Sequence, residues 1–192
     1  MKLTLAEPKY FKDSITIISD LVNEARFKIN QNALEMVAMD PANVAMVIFK
    51  LLSSSFVEYD VKKDIEIGVN LIDLKQVMRR AKANDSVGIE LTSDNRLQIT
   101  FKGTNVRTFS LPIIELEERE QKIPELNFPV AVTTSSANLS DAIEDVDIVA
   151  ESVTFLAEPE KLTVMAEGDM SKAKIEIAKD DETSITAETQ DT

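Results

Sequence analysis

Slid against itself by 128 positions, this chain falls into register with its own apolar pattern. Phe11, Ile15, Ile18 and Val22 land on Leu139, Ile143, Val146 and Ala150. The i, i+4, i+7, i+11 spacing is one stripe of an amphipathic helix, so the pattern predicts a helix in each copy. Phe27, Leu34, Met36 and Ala38 land on Phe155, Leu162, Val164 and Ala166 in the strand-like runs that follow. Eight agreements at one offset require one supersecondary plan used twice: a strand, a helix, then antiparallel strands.

The strand plan is clearest over Phe27–Val47. Apolar residues alternate on both sides of two turn signals, Asn30-Gln31-Asn32 and Asp40-Pro41-Ala42-Asn43. Period-two alternation fixes which face each strand buries, so the segment predicts a three-stranded meander. The first copy divides again. Lys2–Glu7 reads as a strand, Lys9–Asn23 as a helix, and strands follow to about Asp60. Then come a strand over Ile65–Leu71, a helix over Ile72–Ala83, and strands over Val87–Glu90, Leu97–Phe101 and Val106–Leu111.

Pro112 and Pro124 bracket a charged linker, Glu115–Lys122, too polar to form a core of its own. The fold class is therefore α+β, with a first domain over 1–113, a connector over 114–127 and a second domain over 128–192. In the second domain a helix is expected over Ala137–Val146 and a strand over Ser184–Thr189. A complete second copy would run to about residue 255, so this reading expects an incomplete second domain with uncovered apolar faces and strand edges.

Composition excludes several chemistries. No cysteine and no histidine are present, which removes disulfides, thiolates and the commonest general base and metal ligand. Four glycines make no phosphate-cradling loop. The carboxylates of Glu115–Glu120 and Asp180–Glu182 read as solvated loop charge, and Asp40–Asn43 lacks the alternating ligands of a calcium loop. No catalytic constellation, cofactor or metal site emerges. A net charge of −13 opposes non-specific attraction to DNA over the whole surface, so a DNA role needs segregated cations.

Four stretches together resemble the proliferating-cell-nuclear-antigen family of ring-shaped sliding clamps. They are Met39-Asp40 with Val44-Ala45-Met46, and Ile67-Gly68-Val69-Asn70-Leu71 running into Leu74–Lys82. The others are Phe101-Lys102-Gly103-Thr104 leading to Arg107-Thr108-Phe109 and Leu111-Pro112, and the connector motif Ile123-Pro124-Glu125-Leu126. They occur in the family's order across nearly the whole chain. The resemblance implies the clamp fold, with antiparallel sheets outside and helices lining a central channel, and an archaeal subunit that encircles duplex DNA. Its cellular place would be the cytoplasm, at the nucleoid.

Lys75, Arg79 and Lys82 sit at i, i+4, i+7 of the second expected helix, a stripe opposite the packing face of Leu74, Val77, Met78 and Ala81. Stacked cations repel one another by a few tenths of a kcal/mol, so an anionic partner gives the stripe a reason, though a plain solvated face is the competing reading. The resemblance extends the expected DNA-facing set to Lys9, Lys12, Lys62, Lys63 and Arg80. The helix over Ala137–Val146 departs from it, carrying Asp141, Glu144 and Asp145 and no cation.

The resemblance also implies a client groove built by Met39, Val44, Met46, Ile123 and Leu126. Its clients would be DNA polymerase, clamp loader, flap endonuclease and DNA ligase, docking through short motifs with paired aromatics. Subunits would form a trimer by pairing the edge strand Thr104–Leu111 (Thr104, Val106, Thr108, Ser110) with Ala173–Lys179 (Ala173, Ile175, Ile177) of a neighbour. A clamp-fold adaptor that forms no DNA-encircling ring is the alternative.

Overall fold

The computed structural model describes residues 1–116 and 122–187. Contacts divide the chain into two compact units, Met1–Ile123 and Pro124–Thr192. In the first unit the elements run β1 (Lys2–Leu5), α1 (Lys9–Leu21), β2 (Glu24–Ile29), β3 (Ala33–Met39) and β4 (Met46–Leu52). A short 3₁₀ turn at Ser53–Ser55 precedes β5 (Glu58–Asp60) and β6 (Ile65–Asn70). Then follow α2 (Leu71–Met78), β7 (Ser86–Leu91), β8 (Arg96–Lys102) and β9 (Val106–Pro112).

Two antiparallel sheets result, ordered β5-β1-β7-β8-β9 and β4-β3-β2-β6. The expected meander is the β2-β3-β4 part of the second sheet, with Phe27 opposite Met36 and Met36 opposite Phe49. Alternation does the sorting: Ala25, Phe27 and Ile29 are buried while Glu24 and Lys28 face out. Helix α1 buries Phe11, Ile15 and Ile18, the expected stripe, into one core with Leu3, Met36, Leu74, Met78 and Phe101. Deleting a ring of that core, as in Phe101→Ala, costs about 3–5 kcal/mol.

The second sheet gains an extra bridge from the segment after β9. Ile114 donates its N–H to the Gly68 carbonyl at 3.0 Å, and Arg26 donates from Nη2 to the Leu116 carbonyl at 2.5 Å. A Cβ on Gly68 would stand 2.2 Å from the Ile114 oxygen, so only glycine permits this close approach.

The second unit contains β10 (Val130–Thr133), α3 (Ser136–Asp147), β11 (Thr154–Glu158), β12 (Lys161–Glu167), β13 (Lys172–Ala178) and β14 (Ser184–Ala187). Its sheets are β10-β14 and β11-β12-β13. β10 repeats β1, and β12 repeats β3, at the offset of 128. β13 arrives two residues early because four residues, Gly168–Ser171, replace the six of Asp40–Ala45 in the preceding turn.

Several expectations need correction. The second helix ends at Met78, not Ala83, because Asp85 takes the Lys82 N–H at 2.7 Å and draws the chain into a turn. Thr104 lies in the β8–β9 turn, since β9 begins at Val106. The middle of the charged linker (117–121) and residues 188–189 of the last expected strand lie outside the described residues.

The repeated positions are unequally buried. Phe27 is 3% exposed and Phe155 is 53% exposed, because β2 is paired on both sides whereas β11 is a sheet edge among the described residues.

Candidate functional site

The β3–β4 turn is organised by one carboxylate. Asp40 Oδ1 accepts the N–H groups of Val44 at 2.7 Å and Ala45 at 2.6 Å, and Oδ2 accepts that of Ala42 at 3.0 Å. These backbone donors, Ala45 foremost, hold the Asp40 carboxyl below the usual range. Both carboxylate oxygens are thus engaged by the backbone of the turn they organise. Asn43 occupies the left-handed region at φ 57°, which its short polar side chain tolerates.

The turn presents Val44 to solvent, 86% exposed, so Val44 is no core residue. Met39 and Met46 face each other across the strand pair, both half-buried. Met39 and Met46 thus stand opposite each other at the base of the turn that carries the exposed Val44. Ile123 and Leu126 fall on either side of the division between units, and both are exposed.

The expected cations separate into groups. Lys75 Nζ sits 2.6 Å from Asp20 Oδ1 and is only 24% exposed, so its charge is answered within the fold. Lys12 Nζ donates to the Ala81 carbonyl at 3.4 Å. Arg79 is the C-cap of α2, while Arg80 and Lys82 follow in the turn; all three are exposed. The helical stripe is therefore a cationic turn at a helix end, where positive charge also suits the helix dipole. Lys9 is exposed on the first turn of α1, and Lys62 and Lys63 are exposed between β5 and β6.

Beyond Lys9, the exposed residues of α1 are Tyr10, Asp13, Ile17, Asp20 and Leu21, so its outward face carries more negative than positive charge. On α3, Ala142 and Val146 pack inward and Asp141, Glu144 and Asp145 point to solvent.

Each unit ends one of its sheets in a strand that the sequence analysis expected at a contact between copies. β9 ends the five-stranded sheet with Val106, Thr108 and Ser110 exposed. β13 ends the three-stranded sheet, but Ala173 and Ile175 are half-buried against its core and Ile177 is buried in it. Among the described residues the backbone edge of β13 is open, whereas those side chains are not. Reasoning from sequence missed Asp20, Asp85 and the reach of Arg107. Asp40 alone had a local signal, an aspartate opening a turn.

The sequence pattern described as "Proliferating cell nuclear antigen, N-terminal domain" matches residues 1–121. The chain belongs to the proliferating cell nuclear antigen family. It is 37% identical over 174 residues to the DNA polymerase sliding clamp of Thermococcus gammatolerans, covering 91% of this chain and 70% of that protein. With the DNA polymerase sliding clamp of Pyrococcus furiosus it shares 36% over 183 residues, 95% of this chain and 74% of the relative.

Among solved structures, PCNA of Thermococcus kodakaraensis superposes with a TM-score of 0.88 at 27% identity, covering 98% of this chain and 77% of that one. The PCNA2–PCNA3 complex of Sulfolobus tokodaii gives 0.85 at 27% identity, covering 93% and 73%. The PCNA-like clamp fold follows, mixed helices and antiparallel sheets as the repeat implied.

Proposed function

We propose that this chain is a DNA polymerase sliding clamp subunit that acts by binding, not by catalysis. The observation that carries it is family-wide similarity together with two open strand edges, β9 and β13, in a fold built by repetition. Copies pair β9 to β13 head to tail, a heterologous contact that closes into a ring when the rotation fits; the ring is a homotrimer.

The ring encircles duplex DNA and tethers polymerase, raising its effective concentration at the primer end. Lys9, Lys62, Lys63, Arg79, Arg80 and Lys82 supply sequence-blind phosphate attraction, while Lys75 and Lys12 mainly hold the helices. Clients dock an aromatic or aliphatic side chain at Met39, Val44 and Met46, and Ile123 and Leu126 of the connector are further proposed client contacts. The client classes are polymerase, clamp loader, flap endonuclease and ligase, in an archaeal cytoplasm at the nucleoid. The proposed domains are 1–113 and 128–192, joined by a connector over 114–127.

Light scattering with a primer-extension assay tests this reading. The expected result is a mass three times the 21.3 kDa chain and longer extension products when clamp is present. A monomer that leaves product length unchanged favours the adaptor reading, which the acidic outward faces of α1 and α3 would suit.

A further inference from the structure

We propose that Arg107 is a positioning residue that ties the open edge strand β9 to the cationic turn after α2, with Asp85 as its anchor. The proposal rests on the reading that Arg79, Arg80 and Lys82 face duplex DNA. Arg107 Nη1 donates to the Arg80 carbonyl at 2.8 Å, and Nη2 donates to Asp85 Oδ2. The guanidinium also lies 5.3 Å from the centre of the fully buried Phe101 ring. One side chain of the edge strand therefore holds the turn at two points.

Asp85 is built for this role. It is 3% exposed, its Oδ2 accepts the Lys82 N–H at 2.7 Å, and its own N–H donates to the Lys82 carbonyl at 3.1 Å. A Cβ on Gly103, in the β8–β9 turn, would stand 2.1 Å from Asp85 Oδ1, so the carboxylate occupies the space a side chain would fill. The Lys82 N–H, then the charge of Arg107, hold this carboxyl below its ordinary range. A carboxylate so enclosed is stable only with its donors in place, and the planar fork of arginine supplies two contacts that a lysine cannot reproduce. Because the same strand offers its free edge to another copy, pairing along β9 fixes where the turn's cations stand.

The test compares Arg107→Lys, which keeps the charge, with Arg79→Glu plus Arg80→Glu, which keeps the fork. Amide exchange over 80–85, molar mass and duplex retention are read on each. Arg107→Lys is expected to lower amide protection at Lys82 and Asp85 about tenfold or more, the order set by losing one hydrogen bond to a charged group. Retention should fall with it, at unchanged mass. Unchanged protection in Arg107→Lys overturns the proposal. So does lost assembly with protection intact, which would make Arg107 a contact residue between copies. If the double variant retains duplex as the parent does, the DNA-facing reading fails, and with it the proposal's link to DNA; a fall in protection with Arg107→Lys would then establish the tie alone.

Discussion

Asp20 on α1 holds Lys75 on α2, carboxylate to ammonium at 2.6 Å, and so spends a cation that the sequence assigned to DNA. Such a partly exposed pair stabilises by about 0–1 kcal/mol, but it fixes where the positive charge is not. Asp20→Asn should release Lys75 and steepen the salt dependence of duplex binding by about one unit for one gained phosphate contact. Lys75→Gln should leave the salt slope near that of the parent. Binding titrations across salt concentrations measure both.

Met46→Ala should weaken a client peptide with paired aromatics by about 1–3 kcal/mol, the range for a side chain that anchors a pocket. Asp40→Ala should weaken the same peptide without touching it, because Val44 loses the carboxylate that sets the turn. Calorimetry on the two variants separates contact from preorganisation: only Asp40→Ala should also lower the melting temperature through the turn.

Phe27→Ala and Phe155→Ala occupy equivalent positions of the repeat and should behave unlike each other. The first opens a cavity at a 3% exposed ring and should cost about 3–5 kcal/mol. The second trims a ring that is 53% exposed and should cost about 1 kcal/mol or less. Urea unfolding of both variants checks this.

The contrast shows what could be read in the sequence. Helix and strand positions followed from periodicity, and the turns from their Asn, Asp and Pro residues, because both signals are local. Burial of Phe155 was not legible, since it depends on what pairs with β11. The end of α2 was missed because Asp85, a non-local partner of Arg107, competes for the Lys82 amide. Likewise Lys75 and Asp20 are 55 residues apart, and no spacing rule joins them. That Met39 and Met46 stand opposite each other was legible because they flank one short turn.

Glu176 joins Lys161 and Lys174 on the second unit's sheet, and these ammonium groups lower its carboxyl to about 2. Between the unfolded value of about 4.5 and that figure the unfolded chain binds more protons, so stability rises with pH there. The contribution is complete above about 4.5 and should be lost as pH falls from there to about 2. Glu176→Gln should flatten that part of the stability-against-pH curve, as read from urea midpoints.

The central claim is topological: a closed ring holds DNA by encircling it. The most direct measurement loads the protein onto a nicked circular duplex and follows retention before and after the circle is cut. The account predicts persistence on the circle and rapid loss from the linear form, even at salt that abolishes phosphate attraction. Equal retention on the two forms would contradict it.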